Sequence, residues 1–393
     1  VALFHPKVKL FVNGRKKTFN HLQKAIHQTD TVIWIHVASL GEYEQGLPVI
    51  KKIKNTYVDH KILVTFFSPS GYEIKKNAGD VDIVVYLPLD TQKNVARFLR
   101  LTHPKLAIFV KYEIWPNYLK ALAHKNIPTL LISALFKSNQ IYFRPYGGFM
   151  REALRTFTHF FVQDEKSKTL LESIGFINCT VSGDTRFDRV SEILGQDNSL
   201  SFMERFKGSS ICFVAGSTWP EDEAILVDFI NCAPTTLKYV LAPHTIKSNH
   251  VQNLQKNIQK KSCLYSKLEP IDVAQCEVLI IDTIGLLTKI YSYADIAYVG
   301  GGFVTGLHNT LEPATFGIPV IIGPNYGNFK EAIELVANQG IQVVRSKDDF
   351  TLVMDRFLNE PQFRARTGEI NRTYVAENKG ASVQIMEYIR KLP

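Results

Sequence analysis

Two glutamates stand where a predicted strand gives way to a helix, and each could take up a proton. Glu42 closes the run Ser39-Leu40-Gly41-Glu42, and Glu113 sits within Lys111-Tyr112-Glu113-Ile114-Trp115-Pro116. A carboxylate in such a place can be held by backbone N–H groups and still reach a ligand, as a general base must. In the first turn of a helix the same residue can also do no more than complement the helix dipole, the commoner role for an isolated example. A second polar set lies late in the chain: His308, Asn309 and Glu312 follow Gly300-Gly301-Gly302 and Thr305-Gly306, and His244 follows Pro243. Glycines let backbone approach a ligand closely and make positive φ cheap. A glycine loop that leaves a strand and enters a helix near Thr310, with Glu312 in the first turn, is how α/β proteins build a nucleotide pocket. An ordinary βα turn would use these glycines for geometry alone. The polar trio favours binding, because such groups add little to a core. His244 and His308 could contact a phosphate or a base, or be merely hydrogen-bonded.

The elements that must position these residues are buried parallel strands. Near-continuous apolar runs at 31–38, 61–67, 81–87, 106–110, 129–133 and 160–162 have strand length, with helical patterns between them. A second series runs through 211–215, 237–242, 277–281, 295–299, 320–322 and 341–344, and Pro220 suits the first turn of a helix. The stretch 183–208 is polar and broken and reads as a connection, Asp282-Thr283-Ile284-Gly285 as a helix opening, and the tail from Asp348 as helical. Polar residues gather at strand ends in both series: Ser39, Glu42, Ser68, Ser70 and Glu113, then Ser217, Thr218, His244, Thr283, His308, Asn309 and Glu312. The expectation is an α/β protein of two Rossmann-like domains facing across a cleft, over 1–190 and 200–380, with a C-terminal helix at 381–393 crossing back.

Composition agrees. A chain of 393 residues with 45% hydrophobic and 21% charged content supports two or three folded domains and excludes broad disorder. The formal charge of +9 points to an anionic partner, but no long basic run marks a nucleic-acid tail, so no nucleic acid is expected. Cys179, Cys212, Cys232, Cys263 and Cys276 form no CxxC and read as free thiols of a reducing compartment. Asp80-Val81-Asp82 is a lone DxD, better read as a lead into a strand than as a metal site, and neither GxGxxG nor GxxxxGK[ST] occurs. No apolar run reaches the length of a membrane span. The opening VALFHPKVKLFVNGRKK is apolar and basic together, through Lys7, Lys9, Arg15, Lys16 and Lys17, and suits either a segment lying on an anionic membrane surface or a disordered lead-in.

Taken in order, WIHVASLGE, FFSPSGYE, YEIWPN, SGDTRFD, AGSTWPEDE, DTIGLL and GGGFVTGLHNTLEPATFGIPV resemble the motifs of the Kdo transferases of lipopolysaccharide synthesis, over nearly the whole chain. The resemblance implies an inverting glycosyltransferase of the GT-B fold. Such an enzyme moves 3-deoxy-D-manno-oct-2-ulosonic acid (Kdo) from CMP-Kdo to the lipid A precursor, lipid IVA, with neither metal nor cofactor. By resemblance Glu42 is the general base, and Glu113 and Arg186 support the transition state. His244, Ile284-Gly285-Leu286 and Asn309-Thr310-Leu311-Glu312 match the CMP-binding segments. The resemblance also implies a membrane anchor ahead of Val1 and a place on the cytoplasmic face of a Gram-negative inner membrane. Departures are Lys111 where an acidic residue is usual, Arg186 where Lys is common, no Arg beside His244, and Ser133-Ala134-Leu135-Phe136 in place of an Asn-Ala-Arg-Leu-Ser run. Competing readings are a UDP-sugar GT-B transferase, a nucleotide-sugar epimerase with the same His308/Glu312 spacing, and an inactive binder of anionic lipid. The first two leave SLGE and YEIWPN unexplained, and the presence of Glu42 argues against the third.

Overall fold

The run Thr31–Val37 (β1) is buried from its second residue onward, and its alternate side chains enter two different cores. Val32 and Trp34 pack with Phe98, Phe109 and Tyr118, while Ile33, Ile35 and Val37 pack with Ile50, Ile108 and Ile132. A strand apolar on both faces must have layers on both, which is the condition of a parallel sheet. The computed structural model describes residues 6–233, 237–269, 272–304 and 306–392, with side chains from residue 9 onward. Thr305 and the first five residues of the basic opening lie outside them.

β1 is followed by His60–Phe66 (β2), Ile83–Tyr86 (β3), Pro104–Val110 (β4), Thr129–Ala134 (β5), His159–Val162 (β6) and Cys179–Val181 (β7). They form one parallel sheet of order β3-β2-β1-β4-β5-β6-β7. The second sheet takes Ile211–Thr218 (β8), Leu237–Pro243 (β9), Ser262–Leu264 (β10), Val278–Ile280 (β11), Ile296–Val299 (β12), Val320–Ile322 (β13) and Ile341–Val343 (β14), in the order β10-β11-β9-β8-β12-β13-β14, also parallel. Strand order reverses between β1 and β4 in one sheet and between β8 and β12 in the other. At such a reversal the loops leaving the two strands diverge, and the gap outside their C-terminal ends is where open α/β sheets take ligands.

The chain divides into a unit of 1–189 with 379–393 and a unit of 190–378. The final helix, Ala381–Ile389, belongs to the first: Ile385, Met386 and Ile389 join the core of Ile33 and Ile35, and the Asp188 carboxylate accepts from the N–H groups of Gly380 and Ser382.

Several expectations change. The stretch 183–208 is not a bare connection but carries the helices Thr185–Ser191 and Ser201–Lys207. No helix opens at Gly285: its φ of +98° breaks the chain, and the helix there begins at Leu287. The strands β7 and β10 were not anticipated, since three residues with polar members show no apolar run. The basic opening forms a helix, Pro6–Ala25, rather than a disordered lead-in. Within it Leu22 is a core residue, as is Ile26 just past its end, and Thr18 donates to the Tyr86 carbonyl.

Arg15 is drawn into that packing. Its guanidinium donates to the carbonyls of Leu87 (3.0 Å) and Phe67 (2.9 Å) and lies 3.5 Å from the Phe11 ring centre, and burial lowers its pKa to about 10. Lys9, Lys16 and Lys17 stay exposed. Arg15 is therefore a structural clamp for the β2 and β3 exits, not a free surface cation. Arg15→Ala should cost about 2 kcal/mol by stranding two carbonyls. Lys16→Ala should stay within about 0.5 kcal/mol. Urea midpoints of the two variants check the contrast.

Candidate active site

Ser39 follows β1 in an extended conformation and caps the helix Leu40–Thr56. Its Oγ accepts from the Glu42 N–H, and Glu42 reaches back to accept at Oε2 from the N–H groups of Ala38 and Ser39, the latter at 3.2 Å. This is a capping box, formed because Ser-Leu-Gly-Glu places a hydroxyl and a carboxylate three residues apart at a helix start. The cap would ordinarily favour the ionised carboxylate. Here burial opposes it, and the neighbouring charge of Glu113 opposes it further. Those effects exceed the help of the two N–H groups and of Lys111, and the Glu42 carboxyl is pushed up to about 7.

Glu113 leaves β4 on the other side of the strand-order reversal. Its Oε2 accepts from Trp115 Nε1 (2.8 Å) and meets His36 Nε2 (3.0 Å). The backbone before it is strained: Lys111 has a φ of +68°, a conformation that L residues adopt seldom and mostly where a site demands it. Arg186 opens the helix Thr185–Ser191 and is tied to the buried Asp184, whose carboxylate accepts its Nε at 2.8 Å and its N–H at 2.9 Å. Gln45, three residues after Glu42, donates to the same Asp184. Tyr112 registers both ends of this set: burial raises its phenol first, the Glu42 carboxylate raises it further, and Arg186 pulls the other way. Glu42, Glu113 and Arg186 thus converge at one end of the first sheet.

In the second unit β8 ends through Ser217, whose φ is +54°, and β12 ends in Gly300-Gly301-Gly302. A Cβ on Gly300 would lie 2.4 Å from the Ser217 carbonyl oxygen, so only glycine permits the two strand exits to meet. Asp222, fully buried in the first turn of the helix Pro220–Cys232, pins the arrangement. It accepts from the N–H of Trp219 (2.9 Å), the N–H of Gly301 (2.9 Å) and the Tyr298 hydroxyl (2.6 Å). The Trp219 ring stacks on His244 with centres 4.7 Å apart, and its Nε1 donates to His308 Nε2 at 3.0 Å. His308 Nε2 is therefore an acceptor and the ring proton sits on Nδ1. Burial, then the neighbouring His244, lowers its pKa to about 4, so His308 offers a ligand a neutral donor and no positive charge.

Asn309 donates to Glu312 Oε1 (3.1 Å), and Thr288 donates to Glu312 Oε2 (2.8 Å). That second bond joins the helix Leu287–Ile290, which follows the loop Ile284-Gly285-Leu286, to the stretch Asn309–Glu312. Ile284 is 87% exposed, while Thr310 and Leu311 are buried. Thr310 Oγ1 is buried without a partner. The candidate donor residues fall in the second unit and the candidate catalytic ones in the first.

The sequence reading passed over His36, Thr65, Asp184 and Asp222. His36 carried a signal: an imidazole inside the otherwise apolar TVIWIHVA. Asp222 could not be singled out among the acids of Trp219-Pro220-Glu221-Asp222-Glu223 without the geometry. Of the DxD, Asp82 is engaged by the Ile62 N–H and by Lys54. Among the described residues no three His, Cys, Asp or Glu side chains group to hold a metal ion.

Glu42 also links the site to stability. A folded-state value above the ordinary carboxyl range means that its contribution is full below about pH 4.5 and is lost as pH rises through about 7. Glu42→Gln keeps the cap's acceptor and never charges. Thermal melts at pH 5 and pH 8 should show the variant gaining on the wild type at the higher pH; a loss at pH 8 would mean that the carboxylate is net stabilising.

The family description 3-Deoxy-D-manno-octulosonic-acid transferase (kdotransferase) matches residues 13–189. The 3-deoxy-D-manno-octulosonic acid transferase of Haemophilus influenzae is 29% identical over 373 residues, covering 91% of this chain and 86% of that protein. The enzyme of the same description from Aquifex aeolicus is 30% identical over 315 residues, covering 78% and 80%. The UDP-GlcNAc 2-epimerase of Neisseria meningitidis, solved bound to UDP-GlcNAc, superposes with a TM-score of 0.67 over 92% of this chain and 100% of that one, at 16% identity. That likeness speaks for the fold alone, a GT-B arrangement of two Rossmann-like units. The sequence relationship runs to the transferases, and the chain belongs to the 3-deoxy-D-manno-octulosonic acid transferase family of glycosyltransferases.

Proposed function

We propose that this glycosyltransferase moves Kdo from CMP-Kdo to the lipid A precursor, lipid IVA, by a metal-free displacement that inverts the anomeric carbon, with Glu42 as the general base. The observation that carries the reading is the Glu42 carboxyl itself, seated at the β1 exit beside Glu113 and pushed up to about 7. A sugar hydroxyl is a poor nucleophile until its proton has somewhere to go, and a base titrating near the working pH is best matched to take it. In the proposed step one Glu42 oxygen accepts that proton as the acceptor oxygen bonds to the anomeric carbon. The bond from that carbon to the CMP phosphate breaks, and its electron pair leaves with the phosphate. A single displacement of this kind inverts the centre. Arg186, oriented by Asp184, supplies positive charge to the transition state, and Glu113 adds to the burial that keeps the proton affinity of Glu42 high.

The reading assigns CMP to the second unit. His244 supplies an exposed ring braced by Trp219, Gly285 a loop with positive φ, and Asn309 with Glu312 a polar edge. His308 serves as a neutral hydrogen-bond donor. The acceptor is an anionic, acylated lipid, for which the charge of +9 and the exposed Lys9, Lys16 and Lys17 of the first helix suit work at the cytoplasmic face of an inner membrane. No described helix is long and apolar enough to cross a membrane.

Binding to anionic vesicles should weaken between low and high salt, and replacing Lys9, Lys16 and Lys17 together should remove most of that dependence. Sedimentation of vesicles at two ionic strengths reads it; salt-independent binding would refute an electrostatic role.

Glu42→Gln should lower turnover about 10²–10⁴-fold with little effect on CMP-Kdo affinity. The wild-type kcat/KM should fall below about pH 7 as Glu42 takes up its proton. Glu113→Gln removes the charge that raises Glu42, so its acid limb should move to lower pH. Rate profiles from pH 5 to 9, with product counted by mass spectrometry on lipid IVA, test both; near-native turnover in Glu42→Gln would place the base elsewhere.

A further inference from the structure

His36 is completely buried in a strand whose other inward positions are apolar, and an apolar side chain there would pack without any polar group to satisfy. Its bonds show what the imidazole does. Thr65 lies directly opposite it on β2, and His36 Nδ1 is 2.8 Å from the Thr65 hydroxyl and 3.0 Å from the Thr65 carbonyl. Trp34 Nε1, two residues earlier on β1, donates to the same hydroxyl at 2.8 Å. Trp34 donates to Thr65 Oγ1, and both oxygens of Thr65 lie within hydrogen-bond distance of His36 Nδ1, so Thr65 holds this side of the ring. At the other end Nε2 faces a carboxylate oxygen, so Nε2 carries a proton and donates it to Glu113 Oε2. The contacts link Trp34, Thr65, His36 and Glu113 in sequence, and all but Glu113 are fully buried. Trp115 donates to the same Oε2, so both bonds fall on one oxygen and neither engages Oε1. Phe109 and Trp115 pack against the imidazole edge-on, with ring centres 5.8 Å away in each case.

We propose that His36 is a positioning residue for sugar transfer: oriented by Thr65, its buried imidazole fixes the Glu113 carboxylate by one oxygen and leaves the other for the reaction. The proposal rests on the reading that Glu113 contributes to transfer. It makes Trp34, Thr65 and His36 one functional unit rather than three core residues. Nothing in it requires His36 to touch substrate.

Side-chain length separates this role from a packing role. His36→Gln places an amide N–H where Nε2 lies and keeps the donor to Glu113. His36→Asn reaches only as far as Nδ1, keeping Thr65 but losing Glu113. Turnover should fall roughly 10–100-fold in His36→Asn and in Glu113→Gln, the scale of one lost charge-assisted bond. His36→Gln should recover most of it, with KM for CMP-Kdo little changed throughout. In the double variant the effects should not add, because Glu113→Gln has already removed what His36 acts on. Thr65→Val against Thr65→Ser repeats the comparison without altering His36, and is the arm that decides if His36→Asn does not fold. A His36→Asn loss that persists in full in the Glu113→Gln background, or a Thr65→Val variant with wild-type turnover, overturns the proposal while leaving the reading of Glu113 intact. Wild-type turnover in Glu113→Gln overturns that reading, and the proposal falls with it.

Discussion

The backbone N–H groups of Ala38 and Ser39 on the Glu42 carboxylate are the contact from which the chemistry proposed for the first unit follows. They are helix-capping bonds, and alone they would favour the ionised carboxylate and lower its affinity for a proton. Their effect is reversed by place. β1 is central in a sheet covered on both faces, so its exit lies deep, and desolvation there outweighs the cap. Glu113 then adds a like charge from the neighbouring β4, which is adjacent only because the strand order reverses at that point. The topology thus does more than leave a gap for ligand: it sets two carboxylates against each other, so that one holds its proton into the neutral range.

The second unit has the same topological reversal and fills it differently. Its exits carry glycines, an indole and two imidazoles, and its buried acid, Asp222, has both oxygens occupied by N–H and O–H donors. A carboxylate so satisfied organises backbone and is poorly placed to accept a substrate proton. The contrast between Glu42, held by two N–H groups on one oxygen, and Asp222, held by three donors across two, separates a candidate base from a brace. The strained φ of Lys111 in one unit and Ser217 in the other occurs where a strand must turn sharply out of the sheet, so both units hold strain at the reversal.

How much of this the sequence disclosed depends on the range of the interaction. The apolar runs 31–38, 106–110 and 211–215 were legible because a strand buried on both faces has nowhere to place polar residues. The Ser39–Glu42 cap was legible because both partners lie within four residues. β7 and β10 were not, because a three-residue edge strand is specified by the neighbour it pairs with rather than by its own pattern. Arg15 was misread as a surface cation because its partners, Phe67 and Leu87, are more than fifty residues away. His36 was visible as an anomaly in an apolar run, but its meaning depended on Thr65 and Glu113, which only the strand register brings within reach.

The pairing of Trp219 with His308 shows how one such long-range contact changes a chemical expectation. From sequence, His308 beside a glycine loop could be a cation for phosphate. The indole N–H occupies Nε2, and a second imidazole, His244, stands 4.7 Å from it between ring centres. Protonating His308 would break the indole bond and place charge beside another titratable ring in a largely buried position. Burial first, and then His244, lower its pKa to about 4, and the indole bond at Nε2 is consistent with the neutral ring. A neutral His308 with its proton on Nδ1 keeps a fixed donor direction across the physiological range. Any positive charge needed at the leaving phosphate must then come from residues other than His308.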